Sequence, residues 1–221
     1  MKDWDDIRRW RKERRAALIE RRVAAREARS GWNETIQDKL ARRLPELRRM
    51  LIGFYWPFKG EFDARPLVRS LREQGARLAL PVVIEKGAPL VFREWWPGKK
   101  LTPGVWNIPV PAEGEPVTPD ALLVPLVGFD EKGYRLGYGG GFYDRTLAAI
   151  TAATGAKPLA VGVGFELSRL ETIYPQPHDV PMDLVVTEAR FDRVTPEGLA
   201  PLPEGGEDPS SEAGETTLTA R

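Results

Sequence analysis

Val124-Pro125-Leu126-Val127-Gly128-Phe129-Asp130-Glu131-Lys132-Gly133-Tyr134-Arg135-Leu136-Gly137-Tyr138-Gly139-Gly140-Gly141-Phe142-Tyr143-Asp144-Arg145 is the stretch on which the reading of this chain turns. It begins as an apolar strand, passes through a polar turn, and enters a glycine loop that opens a helix. Gly137, Gly139, Gly140 and Gly141 let backbone N–H groups approach a polyphosphate closely, and the helix start near Tyr143 adds its dipole. Arg135 and Arg145 flank the loop with planar guanidinium groups suited to bidentate phosphate contact. Asp144 offers a hard oxygen ligand for Mg²⁺ beside such phosphates. The glycines by themselves would equally serve a hairpin that binds nothing. Neither Gly-x-x-x-x-Gly-Lys-Ser/Thr nor an early dinucleotide-binding turn is present.

Working outward from this segment, short apolar runs punctuated by turn residues predict strands at 50–56, 77–83, 89–95, 121–127, 157–162 and 184–187. Helical patterns fit between some of them, at 64–74 and 143–154. The alternation predicts an α/β fold: an open, mixed, largely parallel sheet flanked by helices, with an antiparallel addition near 81–95. Residues 97–120, rich in Pro and Gly, read as an ordered irregular loop over the sheet. Residues 3–29 lack Pro and Gly and are rich in Arg, Ala and Glu, which predicts a long N-terminal helix stopped by Ser30-Gly31. Along it Arg8, Lys12, Arg15, Arg22 and Arg26 fall on one side. A second helix is expected over 33–49, with Pro45 kinking or breaking it. One domain over 1–195 and a disordered acidic tail over 196–221 complete the expected organisation.

Composition narrows the chemistry. Of 221 residues none is Cys and one, His178, is His, which excludes disulfides, thiolate zinc sites, cysteine nucleophiles and multi-histidine cages. Any metal must rest on oxygen. The net charge is +1, yet residues 1–50 hold 16 Lys/Arg against 9 Asp/Glu, so an anion would be met at that end. No apolar run is long enough to span a membrane, and the first residues lack a secretory plan, so a cytoplasmic address with no membrane partner is expected. Read singly, Arg11, Lys12 and Arg15 are ordinary solvated helix charges, and His178 is a surface or hydrogen-bonded histidine. Asp179 and Asp183 read as turn or capping acids, and Trp95, Trp96 and Trp106 as packing residues that could stack on a heterocycle.

The string Arg-Leu-Gly-Tyr-Gly-Gly-Gly-Phe-Tyr-Asp-Arg closely resembles the signature of the 5-formyltetrahydrofolate cyclo-ligase family, and the resemblance runs in order from about residue 11 to 188. Arg11-Lys12-Glu13-Arg14-Arg15 is similar to the family's basic N-terminal element, with Arg14 where a leucine is expected. Phe54-Tyr55-Trp56-Pro57 and Glu61-Phe62-Asp63 look like its folate segment. Leu80-Pro81-Val82 and Phe92-Arg93-Glu94-Trp95 match in place, and His178-Asp179-Val180-Pro181-Met182-Asp183 looks like its distal acidic motif. Two departures fall on the folate side: Val110-Pro111 replaces Glu-Pro, and Glu166 lies in a segment that usually carries glutamine.

The resemblance implies an ATP- and Mg²⁺-dependent enzyme acting on a reduced folate. It implies ATP contacts from Arg11, Lys12, Arg15, Arg135, Gly137, Gly139, Gly140, Gly141, Phe142, Tyr143 and Asp144, and substrate contacts from Tyr55, Glu61 and Tyr138. Asp144 and Asp179 would hold the metal, and Arg145 and Tyr143 would be catalytic. The formamide oxygen of 5-formyltetrahydrofolate would attack the γ-phosphorus of ATP; N10 would then close on the activated carbon, and loss of phosphate would leave 5,10-methenyltetrahydrofolate with ADP. Asp144→Ala and Arg145→Ala are expected to abolish turnover and leave the fold intact. A monomer or weak homodimer without a nucleic-acid partner is expected. Alternatives are a paralogue using ATP on another amide or heterocycle, a non-catalytic binder of folate or nucleotide, and a nucleic-acid module built on the Arg-rich helix.

Overall fold

The computed structural model describes residues 3–203. The chain opens with α1 (Trp4–Ala24), capped by the Asp3 carboxylate on Asp6 N–H, and continues through α2 (Arg29–Arg43) and a 3₁₀ turn (Pro45–Arg49). Next come β1 (Leu51–Gly53), α3 (Arg65–Glu73), β2 (Arg77–Val82), β3 (Val91–Trp95), β4 (Leu101–Pro103), β5 (Pro109–Pro111) and β6 (Pro116–Val117). The second half holds β7 (Ala121–Pro125), β8 (Gly128–Asp130), β9 (Arg135–Leu136), α4 (Phe142–Thr154), β10 (Leu159–Val163), β11 (Arg169–Leu170), β12 (Leu184–Val186), β13 (Phe191–Thr195) and β14 (Gly198–Pro201).

Nine strands form one sheet in the order β14-β13-β12-β10-β7-β1-β2-β3-β6. The five central strands, β12 to β2, run parallel, and antiparallel pairs finish both edges. This is the expected α/β class, antiparallel addition of β3 to β2 included. Burial explains it: Ala121 to Val124 of β7 are all fully buried, as a strand covered on both faces must be. Successive residues divide between two cores. Ile52, Leu78, Leu80, Leu123 and Val161 face α2 and α3, through Ile36, Leu40, Leu67 and Leu71. Leu51, Ala79, Leu122, Val124 and Ala160 face the other way, toward Leu147 of α4.

Several expectations need correction. The first helix ends at Ala24, and Ser30 and Gly31 lie inside the first turn of α2 rather than stopping α1. The break comes earlier because the two helices bury different faces: Leu18 packs with Val127, Leu136 and Ile173, whereas Ile36 and Leu40 join the sheet core. Pro45 does break the second helix, at Leu44. The 97–120 segment contains more order than an irregular loop, namely the β4–β5 ribbon and the edge strand β6. The domain also runs past 195: β14 pairs with β13, and Leu199 N–H donates to Glu131 O at 2.8 Å. The expected tail beyond residue 203 lies outside the described residues. Among those described, no helix is long and apolar enough to cross a membrane.

Candidate active site

A cleft of about 820 Å³ opens at the carboxyl ends of β1, β2 and β7, where an open α/β sheet places its ligands. Tyr55 and Trp56 follow β1 into it, Pro81 and Val83 come from the end of β2, and Pro125 from the end of β7. The glycine loop and the first turn of α4 form one wall. Gly141 is the N-cap of α4 in a left-handed conformation (φ 62°), with no side-chain cap bond, so the first amides of the helix stay open for an anion. Gly139 (φ 95°) makes the same demand on backbone freedom.

Basic side chains from α1 face this wall. Arg15 Nε donates to Gly137 O at 2.6 Å. Burial, and then repulsion from Arg11, hold the Arg15 guanidinium below its ordinary pKa, and an anion beside it would offset the lost solvation and the repulsion. Arg11 donates to Ile173 O (2.9 Å), Tyr174 O (3.0 Å) and the Asp179 carboxylate. Lys12 is exposed at the rim. Arg135 Nη2 donates to Asp144 Oδ2 at 2.8 Å, and Val180 N–H donates to Asp144 Oδ1 at 3.1 Å. Arg135 Nε is buried with no partner among the described residues. Its guanidinium lies over the Tyr143 ring at 5.3 Å, and burial pushes the Tyr143 hydroxyl well up.

A second face of the cleft, to which the glycine loop contributes Tyr138, is aromatic and carries the Glu61 carboxyl. Phe58, Trp106 and Tyr138 meet with ring centroids about 6 Å apart, Phe58 and Trp106 nearly parallel at 9°. Glu61 is 7% exposed; its Oε1 accepts from the Tyr138 hydroxyl (2.9 Å) and its Oε2 from Phe58 N–H (2.9 Å). Burial pushes its pKa up to about 7, against opposing pulls from Arg22, Phe58 N–H and Tyr138. Tyr55 donates to Phe62 O at 3.1 Å, and burial raises its hydroxyl too.

Thus Arg11, Lys12, Arg15, Tyr55, Glu61, Arg135, Gly137, Tyr138, Gly139, Gly140, Gly141, Phe142, Tyr143, Asp144 and Asp179 all line one cleft. Arg145 does not: it folds back on Gly140 O and Ala88 O and covers the Phe142 ring at 5.4 Å. Of Trp95, Trp96 and Trp106, the last reaches the cleft, which Trp4 and Trp56 also line; Trp95 is buried in the sheet core against Phe54 and Trp56, and Trp96 lies outside. Val110 lines the cleft, whereas Glu166 pairs with Arg169 and Thr187 elsewhere. Asp183 is structural, joining Lys157 and Ala160 N–H.

Two contributors escaped the sequence reading. Asp130 accepts N–H groups from Lys132, Tyr134 and Ile173 and so shapes the turn before the loop. Arg22, one of the α1 stripe, is 3% exposed behind the cleft wall. The stripe itself was the signal, but nothing in it separates a buried arginine from its solvated neighbours.

No group of three or more His, Asp or Glu side chains among the described residues is arranged to hold an ion. Of the carboxylates lining the cleft, Asp144 and Asp179 each already accept from an arginine. That suits a magnesium ion carried in on a polyphosphate, which needs only one or two protein carboxylates.

A parallel sheet, a cleft at its carboxyl ends and an open helix terminus facing clustered arginines define an α/β enzyme. A family model described as the 5-formyltetrahydrofolate cyclo-ligase family matches residues 7–188. The chain belongs to that family, and it is a ligase. The Escherichia coli K12 5-formyltetrahydrofolate cyclo-ligase is 35% identical over 145 residues, covering 63% of this chain and 78% of that protein. The Mycolicibacterium smegmatis 5-formyltetrahydrofolate cyclo-ligase is 35% identical over 189 residues, covering 80% and 92%. The NMR structure of Aquifex aeolicus 5,10-methenyltetrahydrofolate synthetase superposes with a TM-score of 0.71 at 32% identity, covering 83% of this chain and 92% of that one. A Mycoplasma pneumoniae 5,10-methenyltetrahydrofolate synthetase, at 24% identity and a TM-score of 0.64, shares the fold.

Proposed function

We propose that this enzyme converts 5-formyltetrahydrofolate and ATP into 5,10-methenyltetrahydrofolate, ADP and phosphate in the cytoplasm. The observation that carries the reading is that one cleft combines open amides and cations with a face of aromatic rings and a buried carboxyl, the glycine loop contributing to both. The amides and cations suit a triphosphate. Gly137 to Gly141 and the amides of α4 would take its oxygens, and Arg11, Lys12, Arg15 and Arg135 would balance its charge. Asp144 and Asp179 would hold Mg²⁺, which when bound neutralises phosphate charge as the leaving group departs. Phe58, Trp106 and Tyr138 form a surface for a flat heterocycle, and Tyr55 and Glu61 give polar contacts at its edge.

Alignment is then the main catalytic contribution. The two walls bring the formamide oxygen to the γ-phosphorus, and ring closure by N10 expels the phosphate. Arg145 would swing from Gly140 O toward the phosphates. Purified protein given 5-formyltetrahydrofolate, ATP and Mg²⁺ should form the methenyl chromophore and ADP in equal amounts. Nucleotide binding without that chromophore would defeat the assignment. Val110 in the cleft wall favours a second reading, an ATP-using relative acting on another amide or heterocycle, and the same assay separates the two.

A further inference from the structure

Arg22 has no place in the reaction as described, yet its surroundings are built around it. Its Nε donates to Lys59 O (3.1 Å), its Nη1 to Leu126 O (3.1 Å) and its Nη2 to the Tyr138 hydroxyl (2.8 Å). The same Nη2 lies 3.9 Å from Glu61 Oε1. One buried guanidinium therefore joins α1, the 58–61 turn, the segment leaving β7 and the glycine loop. Tyr138 passes the link on, accepting from Arg22 and donating to Glu61. The other ionisable groups that face Glu61 are tyrosines: Tyr138 from the loop, which bonds to it, and Tyr55 after β1 and Tyr143 from α4, whose hydroxyls its charge helps to keep protonated. Arg22 is the cation that faces it.

We propose that Arg22 is a positioning residue: acting through Tyr138, it holds Glu61 on the substrate wall of the cleft and fixes that wall to the glycine loop. The role rests on the reading that this wall takes a reduced folate. A buried arginine could instead serve folding alone, so the test must separate the two. Arg22→Met keeps the aliphatic stem and removes the donors; Tyr138→Phe removes only the bridging hydroxyl.

Both variants should raise KM for 5-formyltetrahydrofolate by about tenfold or more, the scale of a lost hydrogen bond to a charged group, while KM for ATP stays within about twofold. Arg22→Lys should recover part of the loss. Equal changes in both KM values, or a lower melting temperature with both KM values unchanged, would overturn the proposal. A second measurement needs no substrate. The titration of Glu61, followed by NMR on carbon-13 glutamate and assigned with Glu61→Gln, should move upward in Arg22→Met; an unmoved midpoint overturns the proposal. If wild-type protein forms no methenyl product but the midpoint moves, the cyclo-ligase reading fails and the Arg22–Glu61 link stands. Should Arg22→Met not fold, Arg22→Gln takes its place and is judged by the same KM and titration outcomes.

Discussion

At Glu61 the cleft holds a carboxyl that folding makes harder to ionise. Its pKa rises from an ordinary 4.5 to about 7 because burial outweighs Arg22, Phe58 N–H and Tyr138 together. Between those values the folded chain binds a proton that the unfolded chain has released, so the stability Glu61 contributes is full below about 4.5 and is lost as pH rises to about 7. Glu61→Gln removes this term. The variant should therefore gain on wild type across that window, by roughly 3 kcal/mol in all, in denaturant unfolding at a series of pH values. A constant difference at every pH would show that Glu61 ionises as freely in the fold as out of it. The identity of Glu61 was legible through its neighbours in sequence; its burial was not, because burial depends on Arg22 and Tyr138, which are 39 and 77 positions away.

The glycine loop and α4 show both what an element's sequence announces and what it hides. Four glycines before Phe142 announced a pliant backbone without saying what it binds, and the helix begins there with no side-chain cap on its first amides. The central strands were equally plain, since runs such as Ala121 to Val124 are apolar without interruption. The edges were obscure: β4, β5, β6 and β14 are short, rich in Pro or Gly, and exist through pairing with partners that local composition does not reveal. Asp144 was read as a ligand whose loss would spare the fold, and the structure revises that expectation. Its carboxylate is paired with Arg135, whose side chain is only 5% exposed. Asp144→Ala would strand a buried guanidinium, so unfolding should become easier by about 3–5 kcal/mol in addition to the loss of turnover. Asp144→Asn should cost less stability while still losing activity. Unchanged stability in Asp144→Ala would mean that the pair contributes little.

Across the whole molecule, the first helix is attached differently from the rest. It buries only Leu18 and Arg22, whereas α2 and α3 share the main apolar core with the sheet. Its hold is mostly polar, through Arg11, Arg15 and Arg22 to distant backbone oxygens. Such a helix should open locally before the sheet does. Hydrogen exchange should show α1 amides exchanging ahead of those in β7 and β10, and magnesium-ATP should slow the turns around Arg11 and Arg15. No slowing at saturating nucleotide would separate α1 from the phosphate wall.

Arg11 finds its acceptor Ile173 only 162 residues further along the chain. A ribosome adding about 5–20 residues per second needs roughly 8–30 s to cover that interval. Throughout it the nascent basic helix has none of its Arg11 partners to grasp, and the catalytic chamber cannot be finished until translation has passed Asp179.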